Sequence, residues 1–159
     1  MTARVDTIAL TGIRAVPVEV QVAISAGLPA FAVVGLGDKA VTEARERVRA
    51  ALGRLGLTLP AKRILVNLAP AGLAKEGSHY DLPIALALML GIGALPSGVL
   101  DGHLALGELA LDGTLAAVAG VLPAAVLAAE TGRRIICPAA SADEAAWAGD
   151  RHAVIAAPD

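Results

Sequence analysis

From Val16 to Ile24 apolar and polar residues alternate, with Val16, Val18, Val20, Val22 and Ile24 on one face and Pro17, Glu19 and Gln21 on the other. A period of two marks a strand with one buried face, so "VPVEVQVAISAG" is predicted as a half-buried strand. "DTIALTGIRA" before it and "PAFAVVGL" after Gly27 and Pro29 read as further strands, and the short turns between the three imply an antiparallel start. At Asp38 the period lengthens. Val41, Ala44, Val48, Leu52 and Leu55 recur at spacings of three and four, which predicts an amphipathic helix N-capped by Asp38, closed by Gly56 and carrying an arginine-rich outer face. "KRILVNLAP" is a buried strand bounded by prolines, and a polar loop from Ala71 to Tyr80 then leads into "DLPIALALMLGIGAL". That segment is a helix apolar nearly all round, with Asp81 or its neighbour at the cap and Pro83 in the first turn, and it must be covered on most sides.

Asp112-Gly113, between two apolar segments, signals a tight hairpin. The Ala-rich helix "VLPAAVLAAETG", the strand "RRIICP", a short helix in "SADEAAWAG" and a last strand "HAVIAAP" complete the chain. The succession fits one α+β domain over residues 1–159, a mixed sheet packed with helices.

Composition raises a membrane question, because 56% of the residues are hydrophobic and Leu82 to Leu100 form an uncharged run of 19 residues. About 20 apolar residues cross a bilayer, but Pro83, Gly91, Gly93, Pro96 and Gly98 interrupt this run and no basic residue flanks it. The expectation is no membrane span. "MTARVDTIAL" lacks the succession of an export signal, and Cys137 is the sole cysteine, so no intrachain disulfide forms; a cytoplasmic location is expected. The net charge of −2 is unevenly spread: Asp38 to Arg63 hold seven basic and three acidic residues, leaving +4 there and −6 elsewhere.

Four patterns carry candidate chemistry. "GLGDKA" fits the permissive dinucleotide pattern through Gly35, Gly37 and Ala40, but Asp38 sets a negative charge where pyrophosphate would sit, and no acidic residue follows the next strand to hold a ribose. Turn glycines are the simpler account, and no G-x-x-x-x-G-K-[ST] motif occurs. Lys75, Glu76, Ser78, His79 and Asp81 crowd one loop and include the residue types of a hydrolytic triad, yet sequence neighbours normally diverge in space whereas a triad must converge. His79, His103 and His152 are too scattered for metal ligation. Arg45, Arg47, Arg49 and Arg54 on the predicted helix, with Lys62 and Arg63 at the next strand, form a basic ridge able to meet phosphates without reading sequence; the alternative is a solvated face partly neutralised by Glu43 and Glu46.

"GLPAFAVVGLGDKAVTEARERVRAAL", "PAKRILVNLAPAGLAKEGSHYDLPIALALM" and "GELALDGTLAAVAGVLPAAVLAA" together resemble the N-terminal domain of the YifB/ComM family of magnesium-chelatase-like AAA+ ATPases, from about Val5 to Cys137. The resemblance implies a fold like domain 2 of ribosomal protein S5, shared with the Lon protease domain and with the C-terminal domain of the recombination protein RadA. It also implies an AAA+ motor downstream, absent from this chain, that would bind ATP and Mg2+; no cofactor is expected for the chain itself. "KEGSHYD" looks like the Lon-type "KDGPSAG", but His79 falls where the serine nucleophile would stand and Ser78 lies one position early. The Lon-type catalytic lysine belongs to a "GGLKEKVLAA"-like segment, where "GVLPAAVLAA" supplies Pro123, Ala124 and Ala125. A serine without its base is not activated at neutral pH.

The resemblance and the residues together lead to the expectation of a non-enzymatic assembly and DNA-contacting domain. Its partners would be its own AAA+ motor, neighbouring subunits of a hexamer and DNA held by the basic ridge. The competing expectations are a residual Lon-type hydrolase using Ser78 with His79 or Lys75, and a purely structural ring-former.

Overall fold

In the computed structural model, which describes residues 2–139 and 154–157, β1 (Thr2–Thr11) and β2 (Arg14–Ser25) form the long antiparallel hairpin that the alternation predicts, in register from Thr2 with Ala23 to Thr11 with Arg14. β3 (Ala30–Val34) departs from expectation. It pairs not with β2 but in parallel with β4 (Arg63–Ala69), and β4 inserts antiparallel to β2. A parallel pair needs a long crossover, and α1 (Asp38–Arg54) is that crossover. The antiparallel start therefore holds only for the first two strands.

Beyond β1 the sheet continues in parallel through β5 (His103–Ala105), β8 (Arg134–Pro138) and β9 (Val154–Ala157), giving the order β3-β4-β2-β1-β5-β8-β9. β6 (Glu108–Leu109) and β7 (Leu115–Ala116) make a separate small hairpin around Asp112-Gly113. There the Asp112 carboxylate accepts from the Thr114 amide at 3.0 Å and its hydroxyl at 2.7 Å. The sheet begins α2 (Asp81–Gly91) and α3 (Val121–Glu130) from its loops, and the expected mixed sheet packed with helices is present. The short helix expected in "SADEAAWAG" lies outside the described residues.

The two helical layers lie on opposite faces. Val5 and Ala9 of β1 join Val20, Val22, Val66 and Leu68 in a core under α1 and α2, whereas Ile8 joins Leu104 and Ile135 under α3; successive residues of a strand point to opposite faces. α3 packs over β2, β5 and β8. On that same side the outer half of the sheet stays open, with Ala32 exposed and Val34 51% exposed.

One cap differs from the sequence reading and one falls within it. Gly37, extended at φ −64° and ψ 154°, is the N-cap of α1, so Asp38 sits one place inside the helix, where its charge still meets the helix dipole favourably. Tyr80, the neighbour of Asp81, occupies the N-cap of α2. Gly35, at the entry to α1, has φ +104°, and a Cβ there would lie 2.7 Å from the Leu68 carbonyl oxygen. The glycine motif is thus a turn pressed against the β4 backbone.

Candidate functional site

The polar loop before α2 is laced to the segment that precedes β6. The Gly107 amide donates to the His79 carbonyl at 3.0 Å, and the Leu82 amide donates to the Gly107 carbonyl at 3.0 Å. Gly77 turns the loop at φ +105°, where a Cβ would meet His79 Nδ1 at 2.9 Å. These constraints point the side chains apart. Ser78 Oγ donates to Glu108 Oε2 at 2.9 Å, His79 Nε2 lies 2.7 Å from the Ile8 carbonyl, and Lys75 Nζ donates to the Leu73 carbonyl at 2.7 Å. Since a carbonyl only accepts, Nε2 of His79 carries the proton. Asp81 receives Arg47 through Nε at 2.5 Å and Nη2 at 3.2 Å, and the Leu109 amide at 3.1 Å.

The loop mixes buried and open groups: Lys75, His79 and Asp81 are buried, while Glu76 is exposed. Burial raises the Asp81 carboxyl above its ordinary value even though Arg47 and the Leu109 amide pull it down, and the bond to Asp81 raises the Arg47 guanidinium in turn. Burial lowers the His79 imidazole, with the Ile8 bond opposing. Burial also pushes the Tyr80 phenol up to about 12, and its hydroxyl has no hydrogen-bond partner among the described residues.

The geometry brings Ser78 to a carboxylate rather than to an amine or imidazole. Neither His79 nor Lys75 is among the hydrogen-bond partners of the hydroxyl, and the three triad residue types serve three separate contacts. Glu108, which the loop's own sequence does not reveal, stands 30 positions away, and its only sequence signal is a lone acid in the apolar run "LALGELAL". Among the described residues no cluster of His, Cys, Asp or Glu is suited to a metal ion, and no helix is long and apolar enough to cross a membrane.

The basic ridge divides. Arg47 turns inward to Asp81 and Glu43, with its side chain 20% exposed. Arg54 lies toward the β6–β7 hairpin, where, behind the Thr114 hydrogen bonds, it helps hold the Asp112 carboxyl below its ordinary value. Arg45 and Arg49 converge on Phe31 of β3: Arg45 Nη1 donates to the Phe31 carbonyl at 2.8 Å, and Arg49 Cζ lies 5.6 Å from the ring centroid. Phe31 is the aromatic partner that sequence spacing hides, since it precedes Arg45 by 14 residues. Lys62 and Arg63 open β4 next to Ala30 and are exposed, with Arg63 on the face opposite Ile64. Among the described residues, Arg45, Arg49, Arg54, Lys62 and Arg63 take part in no ion pair.

Comparison with known proteins adds a family. The model of subunit ChlI of Mg-chelatase matches residues 20–141. The chain is 47% identical over 140 residues to the uncharacterized protein YifB of Escherichia coli, covering 88% of this chain. It is 42% identical over 145 residues to the competence protein ComM of Haemophilus influenzae, covering 91% of this chain. In each case the chain spans 28% of the length of the relative.

Proposed function

This chain belongs to the family of the ChlI subunit of Mg-chelatase, and from that premise we propose that it is a non-catalytic assembly and DNA-contacting domain of a larger Mg-chelatase-like protein. The observation that carries the reading is the set of four exposed or half-exposed cations, Arg45, Arg49, Lys62 and Arg63, gathered around one strand end without a carboxylate partner among the described residues. Unpaired cations in one place suit a phosphate backbone, because each phosphate neutralised releases a counterion. Arg47 is reassigned from that ridge to holding α1 against α2.

The name of the Haemophilus influenzae relative, a competence protein, is consistent with a DNA partner. On this reading the remaining part of such a protein supplies an AAA+ motor with ATP and Mg2+, the domain fold is that of domain 2 of ribosomal protein S5, and neighbouring subunits assemble through surfaces such as the open half-sheet. Ser78 is inert because its hydroxyl donates to Glu108 and has no strong base beside it. A serine-reactive fluorophosphonate is expected to leave Ser78 unlabelled; labelling lost in Ser78→Ala would restore the hydrolase reading.

Titration of a fluorescent DNA with the chain at a series of salt concentrations tests the interface. Binding should weaken steeply with salt, and the double change Lys62→Ala with Arg63→Ala should reduce the log–log slope by about two. A slope unaltered by these changes would remove the ridge from the interface.

A further inference from the structure

A cleft of about 460 Å³ opens between α1, the segment 57–62 and the start of β3. Leu57, Leu59 and Pro60 give it an apolar wall, Arg49 and Lys62 give it positive charge, and among the described residues no acidic one lines it. The Arg49 guanidinium is exposed yet held over the Phe31 ring at 5.6 Å, inside the range of about 6 Å for a cation–π contact. Arg45, one turn earlier, ties the same strand residue through its carbonyl at 2.8 Å. The planar cation therefore rests against a fixed support on a side chain that is exposed to a second flat group.

Wall, held plane and uncompensated charge each select part of a ligand. A simple anion uses the charge but not the wall, and an apolar molecule uses the wall but leaves the charge unanswered. A base within a duplex has both faces stacked already. An unpaired nucleotide satisfies all three, since its base offers a π-face to an aromatic or guanidinium plane and its phosphates meet the cations. The cleft is also of a size usual for small-ligand sites. We propose that this cleft receives one unpaired base of a single-stranded nucleic acid, stacked on the Arg49 guanidinium, with an adjoining phosphate on Lys62. The assignment deepens the DNA-contacting reading of the same surface and rests on it.

The test compares three labelled probes of equal length against the full chain at one salt concentration: an oligothymidylate, the same strand with abasic sites throughout, and a duplex; an oligouridylate separates RNA from DNA. The oligothymidylate should bind about tenfold more tightly than its abasic counterpart, a difference of the size expected for one stacked base. Arg49→Lys, which keeps the charge but not the plane, should abolish that preference; an unchanged thermal melt confirms that the variant is folded. Equal binding of base-bearing and abasic strands by the wild-type chain, or a preference that survives in Arg49→Lys, overturns the base site while leaving the phosphate ridge intact. Absence of binding to every probe overturns the site and the DNA-contacting reading together.

Discussion

At the scale of single residues, the contact between Arg47 and Asp81 is a contest between burial and pairing. Asp81 is 1% exposed, and its carboxyl stays raised although two hydrogen bonds from Arg47 and one from Leu109 favour the charge. Desolvation has won, so the pair is costly to break without being a source of much net stability. Arg47→Ala should destabilise the fold by about 3 kcal/mol near neutral pH in urea unfolding, because it strands a buried carboxylate. The loss should shrink as pH is lowered through the raised carboxyl pKa, since a protonated Asp81 needs no counter-charge; a loss that does not change with pH would contradict the assignment. His79 acts with the opposite sign. Its lowered pKa means that below the ordinary value of 6.5 the unfolded chain takes up a proton that the folded chain refuses, so stability falls as pH drops through that window. His79→Gln, which retains a donor for the Ile8 carbonyl, should flatten the difference in unfolding free energy between pH 7.5 and 5.5 (assay conditions of about this range suffice), and an unaltered slope would show that His79 is not the titrating group. Tyr80 buries a hydroxyl that has no partner among the described residues; Tyr80→Phe removes its desolvation cost and should raise stability by about 1 kcal/mol in the same assay, whereas a loss of that size would reveal a bond to the hydroxyl.

At the scale of elements, glycine placement separates turns that need a bare backbone from turns that merely favour it. Gly35 joins β3 to α1 with φ +104° and its missing Cβ would strike the Leu68 carbonyl at 2.7 Å, whereas Gly12, at φ +63° in the β1–β2 turn, faces open space. Gly35→Ala should therefore cost about 3 kcal/mol, combining backbone strain with a clash against a rigid strand, and Gly12→Ala about 1 kcal/mol from strain alone. Equal losses in thermal or urea unfolding would mean that the close approach to β4 is relieved by a shift of the strand. The elements also differ in what the sequence exposes and what it hides. β1, β2, α1 and the β6–β7 turn were legible because each is written in a local period or a turn dipeptide: Val18, Val20 and Val22 alternate, Ala44, Val48 and Leu52 repeat helically, and Asp112-Gly113 closes a hairpin. The parallel pairing of β3 with β4 was not, since apolar alternation states that a strand has a buried face and not which neighbour it takes. The polar loop was legible as a cluster, but the partners that give it meaning are distant: Arg47 lies 34 positions before Asp81, Glu108 lies 30 after Ser78, and Ile8 accepts from His79 across 71.

At the scale of the whole molecule, the sheet ends on one side at β3, and an edge strand presents unpaired backbone groups to another strand. The Ala30 amide bonds to the Lys62 carbonyl at 3.3 Å, so Ala30, Ala32 and Val34 direct their backbone groups toward β4 while Phe31 and Val33 direct theirs away from it. Leu28, 88% exposed, and Val34, 51% exposed, flank those free groups with apolar surface. Arg45 answers one of them by donating to the Phe31 carbonyl at 2.8 Å, and it places a positive charge where an incoming strand would have to lie. Arg45→Ala should release the edge, so that the weight-average mass measured by light scattering climbs with protein concentration in the variant and much less in the wild-type chain. Arg54→Ala loses the same charge without touching the edge and should behave as wild type, which separates strand pairing from a general fall in repulsion. Arg45→Lys, with a donor and a charge retained, should restore most of the protection. If Arg45→Ala and Arg54→Ala associate alike, the bond to Phe31 does not shield the edge, and α1 covers it by bulk alone.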